Sequence, residues 1–257
     1  FGLRDRGLVA PGYRADLVLL RDLAACDVAH VICGGALVDD ATFAGRAPVP
    51  PVGRASVKLA PIAAADLRVP APGPSAPVIG VIPGQILTAH LRAELPYEGG
   101  ARLADPDQDI LKICVLARHG QNRNIGRGFV RGFGIRRGAL ASSVGHDSHN
   151  VCVVGASDDD MALAVNRLIE LQGGFVAVKD GAVLAELPLP LAGLMSDLPF
   201  EAVEARLRAL RAAVREDMGC PLDEPFLQLA FLPLPVIPHL KITDLGLFDV
   251  DRFELVA

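Results

Sequence analysis

GALASSVGHDSHNVCVVG, residues Gly138–Gly155, decides how this chain is read. Two short apolar runs flank a polar tip made of His146, Asp147, Ser148, His149 and Asn150. Apolar runs of that length bounded by turn residues predict buried strands. The tip concentrates imidazole, carboxylate, hydroxyl and amide groups between them. Desolvating such groups without partners costs roughly a few kcal/mol each. They therefore need partners or a ligand, and the tip is the first candidate site.

The same reading extends outward along the chain. Val78–Ile82, Ile110–Ala117, Gly138–Val144, Val151–Val154, Gly174–Lys179 and Ala182–Leu187 are the strand candidates. A helix is predicted after Ser157, where Asp158, Asp159 and Asp160 suit the positive end of a helix dipole. Met161, Ala164, Val165, Leu168 and Ile169 then form an apolar face, and Gly173–Gly174 ends it. A second helix is predicted from about Pro199. It carries Val203, Leu207, Leu210 and Val214 on one stripe and stops at Gly219 and Pro221. Strands and helices mixed along one segment give an α/β class, in detail a mixed α+β domain with helices packed on a mixed β-sheet.

The first 47 residues differ. Asp16–Leu20 and Val28–Cys33 read as strands, and Gly34–Gly35 turns the chain back into Ala36–Val38. A few strands without a helix bury too little to stand alone, so they are expected to pair with strands outside this chain. The stretches Ala47–Gly53 and Val69–Pro77 are Pro-rich connectors. The domain boundary is placed near residue 55, giving 1–55 and 56–257. The chain opens with Phe1 in what reads as the end of something, which predicts a piece of a longer protein.

Composition narrows the function classes. Of 257 residues, 51% are hydrophobic and 21% charged, a globular rather than disordered balance. The net charge of −5 provides no basic field for nucleic acid or an anionic membrane. No apolar run reaches the length of a bilayer span, and residues 1–20 lack a secretory pattern. The five cysteines, Cys26, Cys33, Cys114, Cys152 and Cys220, contain no C-x-x-C pair. Their odd number and spacing favour the reducing cytoplasm. Cys114 and Cys152 lie in apolar runs and read as small buried hydrophobes.

His146 and His149 have a metal-like spacing, but a metal needs three or four convergent ligands and the tip shows no third. No metal is expected on this chain alone. The serines Ser142, Ser143 and Ser148 lack the G-x-S-x-G elbow of an activated nucleophile. Two readings of the tip stand side by side: a self-bonded turn, and the lining of a pocket. GRGFVRGFGIRRG, Gly126–Gly138, lacks the Lys-Ser/Thr ending of a phosphate loop. Its apolar residues predict strand segments, and Arg127, Arg131, Arg136 and Arg137 a solvated or ion-paired face. Gln85 follows a buried strand with an amide able to donate and accept, as recognition of a purine edge requires. Leu232–Pro238 (LPLPVIP) reads as core or interface packing.

Three ordered stretches carry a resemblance. They are GFGIRRGALASSVGHDSHNVCVVGASDDDMALAVNRLIELQGG from Gly132, LAELPLPLAGLMSD at Leu184–Asp197, and LPLPVIPHLKITDLGLFDV at Leu232–Val250. Together they resemble the C-terminal part of adenine deaminases in the amidohydrolase superfamily. GLVAPGYRADLVLL and VAHVICGGALV resemble the closing strands of that superfamily's small β domain.

The resemblance implies hydrolysis of adenine to hypoxanthine and ammonia in purine salvage. It also implies a manganese or iron centre in a (β/α)₈ barrel, where metal activates water and a carboxylate moves protons. It implies a homo-oligomer and a barrel N-terminal to this chain. No His-x-His occurs in these residues, so the chain alone is expected to be inactive. The pocket candidates are His146, Asp147, Ser148, His149, Asn150 and Gln85. Two other classes stay open: a non-catalytic dimerisation or scaffold domain, and an independent small-molecule-binding domain using Gln85 and the tip.

Overall fold

A computed structural model describes residues 1–45, 47 and 49–256, and the chain divides into two units, Phe1–Pro50 and Pro51–Ala257. Pro48, part of the connector predicted over Ala47–Gly53, lies outside the described residues.

The first unit is built on one antiparallel sheet. Strand β1 (Leu17–Asp22) pairs with β2 (Asp27–Cys33), which pairs with β3 (Ala36–Leu37) across the Gly34–Gly35 turn. Arg21 forks onto Asp27 with two bonds of 2.7 Å. A five-residue helix, α1 (Asp40–Ala44), follows with Asp39 as its cap. Val18, Leu19, Leu20, Leu37 and Phe43 stay exposed. The sheet buries little of its own apolar surface, as expected for so few strands.

The second unit is organised by one eight-stranded sheet. In chain order its elements are β4 (Val69–Pro70), β5 (Ser75–Val81), β6 (Thr88–Glu94), β7 (Tyr97–Glu98), β8 (Ala101–Arg102), β9 (Ile110–Leu116), β10 (Ile125–Arg131), β11 (Ala139–Ser142) and β12 (Val151–Gly155). Helix α2 (Asp158–Leu171), β13 (Gly174–Lys179), β14 (Ala182–Pro188), α3 (Phe200–Ala212), α4 (Pro225–Ala230), β15 (Leu240–Thr243), β16 (Gly246–Asp249) and β17 (Glu254–Leu255) follow, with short helical turns at Ala64–Leu67, Pro106–Gln108 and Ala213–Asp217. The large sheet runs β14-β13-β11-β12-β9-β10-β5-β6. Among the described residues only β10 and β5 pair in parallel, so the sheet is mixed.

Both faces of its centre are covered, which is why these strands read as unbroken apolar runs. Alternate residues enter different cores. Ile113, Val115, Leu140, Cys152 and Val154 face one, while Cys114, Leu116, Ala141, Val151 and Val153 face the other. Helix α2 covers the second face with Met161, Ala164, Val165 and Leu168. Leu210 and Val214 from α3 and the π-turn after it, Phe226 and Leu229 from α4, and Leu240 and Ile242 from β15 cover the first. The α2 start follows its sequence signal: Ser157 Oγ accepts from the Asp160 amide at 3.3 Å. Asp158 takes the Lys112 ammonium, and Asp160 accepts from the Gly181 amide at 2.8 Å.

Of the basic residues around Gly126–Gly138, Arg136 pairs with Asp107, Arg137 with Asp180, and Arg127 donates to the Asp66 carbonyl. Arg131 is exposed. Leu232 and Leu234 enter the core, whereas Val236 is exposed. Helix α4 carries no clear helical period in sequence because six residues are fewer than two turns.

Candidate functional site

The β11–β12 hairpin carries the tip at its end, and the hydroxyls at its base are fully engaged. Ser143 Oγ donates to the Gly193 carbonyl at 2.6 Å and accepts from the Gly174 amide at 2.8 Å. Ser142 Oγ bonds the backbone of Val144 at 3.0 Å. Both residues are buried, so their hydroxyls hold backbone rather than act as nucleophiles.

The tip then splits. The His146 amide donates to the Ala230 carbonyl at 3.1 Å, and its ring lies 5.0 Å from that of Phe231. Asp147 and Ser148 are exposed. The Ser148 carbonyl lies 2.8 Å from His119 Nε2. His149 takes a left-handed backbone (φ 50°), and its Nδ1 is buried with no hydrogen-bond partner among the described residues. Burial, and next the Arg118 guanidinium, hold its pKa below that of an ordinary imidazole; the neighbouring Gly145 backbone acts the other way. Asn150 is buried, and its Oδ1 accepts from the Arg118 amide at 3.3 Å.

Arg118 is what organises this end of the hairpin. It stands two residues beyond β9 and is 2% exposed. Its Nε donates to the His149 carbonyl, Nη1 to Ser56 Oγ at 3.2 Å and Nη2 to the Ala192 carbonyl at 2.9 Å. Among the described residues no carboxylate pairs with it. The cation is solvated by neutral oxygens instead, and burial lowers its pKa. Gly193 lies over the guanidinium at φ +70°; a Cβ there would stand 2.7 Å from Nη1. Glycine lets the Leu191–Met195 turn approach this closely. No motif or spacing in the sequence singles out Arg118. Its signal was a charged residue closing the run of seven buried strand residues, Ile110–Leu116.

Gln85 lies elsewhere. It lines a cavity of about 230 Å³ between Pro83–Ile86, Pro221–Glu224 and α4, with Phe231 in the wall. Its carbonyl accepts from Gln228 Nε2 at 3.0 Å, and that of Ile86 accepts from the buried Lys241 Nζ at 2.8 Å. His146 touches this wall through Phe231. The candidates are thus divided: Gln85 shares a cavity lining with Phe231, His146 packs on Phe231, and His149 and Asn150 lie at Arg118.

The tip does not by itself assemble a ligand set for the metal that the resemblance implies. Among the described residues no three His, Cys, Asp or Glu side chains converge as ligands. The two tip histidines turn toward different neighbours, and the Arg118 cation opposes a second cation beside His149.

Residues 85–254 match the family model described as adenine deaminase C-terminal domain. The chain belongs to that family. The match takes in the tip, Arg118, the Gly193 turn and every wall of the cavity except Pro83 and Gly84. The chain is 65% identical over 258 residues to the adenine deaminase of Methylobacterium nodulans and 63% over 257 to that of Gluconobacter oxydans. It is 57% identical over 256 residues to adenine deaminase 1 of Agrobacterium fabrum. In each comparison the whole chain is covered, against 45%, 45% and 44% of the relative. The chain therefore spans under half the length of the curated relatives it matches. No helix among its described residues is long and apolar enough to cross a membrane.

Proposed function

We propose that this chain is the C-terminal part of an adenine deaminase, a cytoplasmic hydrolase that converts adenine and water to hypoxanthine and ammonia in purine salvage. The observation that carries the proposal is the 65% identity to a named adenine deaminase across the whole chain, joined to the family match over residues 85–254. In this proposal the manganese or iron ligands lie outside these residues, in an N-terminal barrel, and the working enzyme is a homo-oligomer. Residues 1–55 complete a small β domain; the exposed apolar residues of β1–β3 support this. Residues 56–257 form the C-terminal α/β domain.

His149 and Asn150 are the polar contacts offered toward the catalytic centre, in the same chain or a partner's, and Arg118 fixes the backbone that carries them. The test uses the full-length enzyme loaded with manganese. Adenine-dependent ammonia release is expected from it, and none from the 257-residue chain with added manganese. Release by the purified chain alone overturns the assignment of the metal ligands. His149→Ala or Asn150→Ala in the full-length enzyme is expected to lower kcat/KM at normal metal content. Unchanged turnover and KM in both variants remove the tip from the site.

A further inference from the structure

We propose that the cavity between Pro83–Ile86 and Pro221–Phe231 binds a small planar heterocycle bearing an amino group, at a site separate from the Arg118 cluster. At about 230 Å³ the cavity falls below the ~300–1,000 Å³ usual for drug-sized ligands, which suits one small ring system. Ile86, Leu222, Leu227 and Phe231 make it apolar. Ile86 and Leu227 remain 44% and 56% exposed, so the slot is open rather than filled by its own walls. Phe231, backed by the His146 ring at 5.0 Å, presents an aromatic surface to a flat ligand.

One wall of the slot is built in advance. Gln228 Nε2 pins the Gln85 carbonyl, and Lys241 Nζ, fully buried, pins the Ile86 carbonyl next to it. A wall held from within loses little freedom when a ligand arrives.

Its polar groups favour a donor. With Nε2 committed to Gln85, Gln228 has its Oε1 left to accept. Glu224 is held by Arg211 at 2.7 Å, whereas the neighbouring Asp223 carboxylate has no cationic partner among the described residues. The exposed Gln85 amide completes the rim. Two acceptors, one of them charged, favour N–H groups over a ligand that offers only acceptors.

The test takes adenine as the probe and the 257-residue chain as the receptor, by calorimetry and by amide NMR shifts. One-site binding is expected, with shifts at Gln85, Gln228 and Phe231. Asp223→Asn should weaken it about tenfold, the loss of one charge-assisted hydrogen bond. Leu227→Trp should fill the slot and abolish binding. Both positions are exposed, so the fold is not at stake. Hypoxanthine, which lacks the amino group, should bind at least about fivefold more weakly. No binding at millimolar adenine, unchanged affinity in both variants, equal binding of hypoxanthine, or shifts centred on Arg118 and Asn150 each overturn the proposal. Deamination by the full-length enzyme is read separately, so failure here leaves the proposed function standing, and the reverse.

Discussion

Replacing Arg118 with Met keeps much of the side-chain volume and removes the fork. Three acceptors lose their donor: the carbonyls of His149 and Ala192 and the Ser56 hydroxyl. Hydrogen bonds to a charged group contribute roughly 1.5–3 kcal/mol each. Against that stands relief from burying an unpaired cation, which costs about several kcal/mol. The net expectation is a loss of about 2–4 kcal/mol.

The chain has no Trp, so far-UV circular dichroism in urea is the assay. With a slope of about 2 kcal/mol per molar urea, the midpoint should fall by about 1–2 M at unchanged slope. Arg118→Lys separates charge from geometry. A compact ammonium reaches one acceptor at a time and is harder to desolvate, so Lys should not recover the wild-type midpoint. A loss below about 1 kcal/mol in the Met variant, or full recovery by Lys, refutes the view of Arg118 as a fork holding three segments.

Three further outcomes concern titratable groups. The folded-state pKa of His149 is depressed by burial and then by Arg118, so its contribution to stability is full above the ordinary value of 6.5 and is lost as pH falls through the depressed one. NMR titration should place its pKa below 6.5 and higher in Arg118→Met; no rise in the variant refutes the assigned cause. Burial lowers the Lys241 pKa to about 8 from 10.5, so the folded chain is penalised below pH 8 and recovers as pH rises to 10.5. Wild type should gain up to about 3 kcal/mol over Lys241→Met across that window, and parallel stability curves would count against it. Burial pushes the Cys114 thiol up to about 12 and Cys220 up to about 11 and also raises Cys152, while Cys26 and Cys33 are exposed. A thiol reagent at pH 8 should label two cysteines quickly in the native chain and five after denaturation; rapid labelling of a third contradicts the burial.

The strands and helices of the large unit were legible wherever local chemistry is one-sided. The Val151–Gly155 run reads as a strand because both faces of the sheet are covered. Helix α2 reads from its cap and apolar face because those signals lie within a few turns of chain. The tip was legible as a polar exception between two core strands. Its internal division was not, because the neighbours that decide it come from distant segments. His146 meets Phe231, and His149 and Asn150 meet Arg118.

Residue chemistry by itself determined the α/β class, the position of the tip and the family the chain resembles. The tertiary structure alone decided what those polar groups face. Arg118 binds Ala192, 74 positions away, and Gln228 binds Gln85, 143 positions away. No local period or cap encodes such meetings. They exist because the sheet brings the ends of its strands together and leaves buried polar groups only each other to bond.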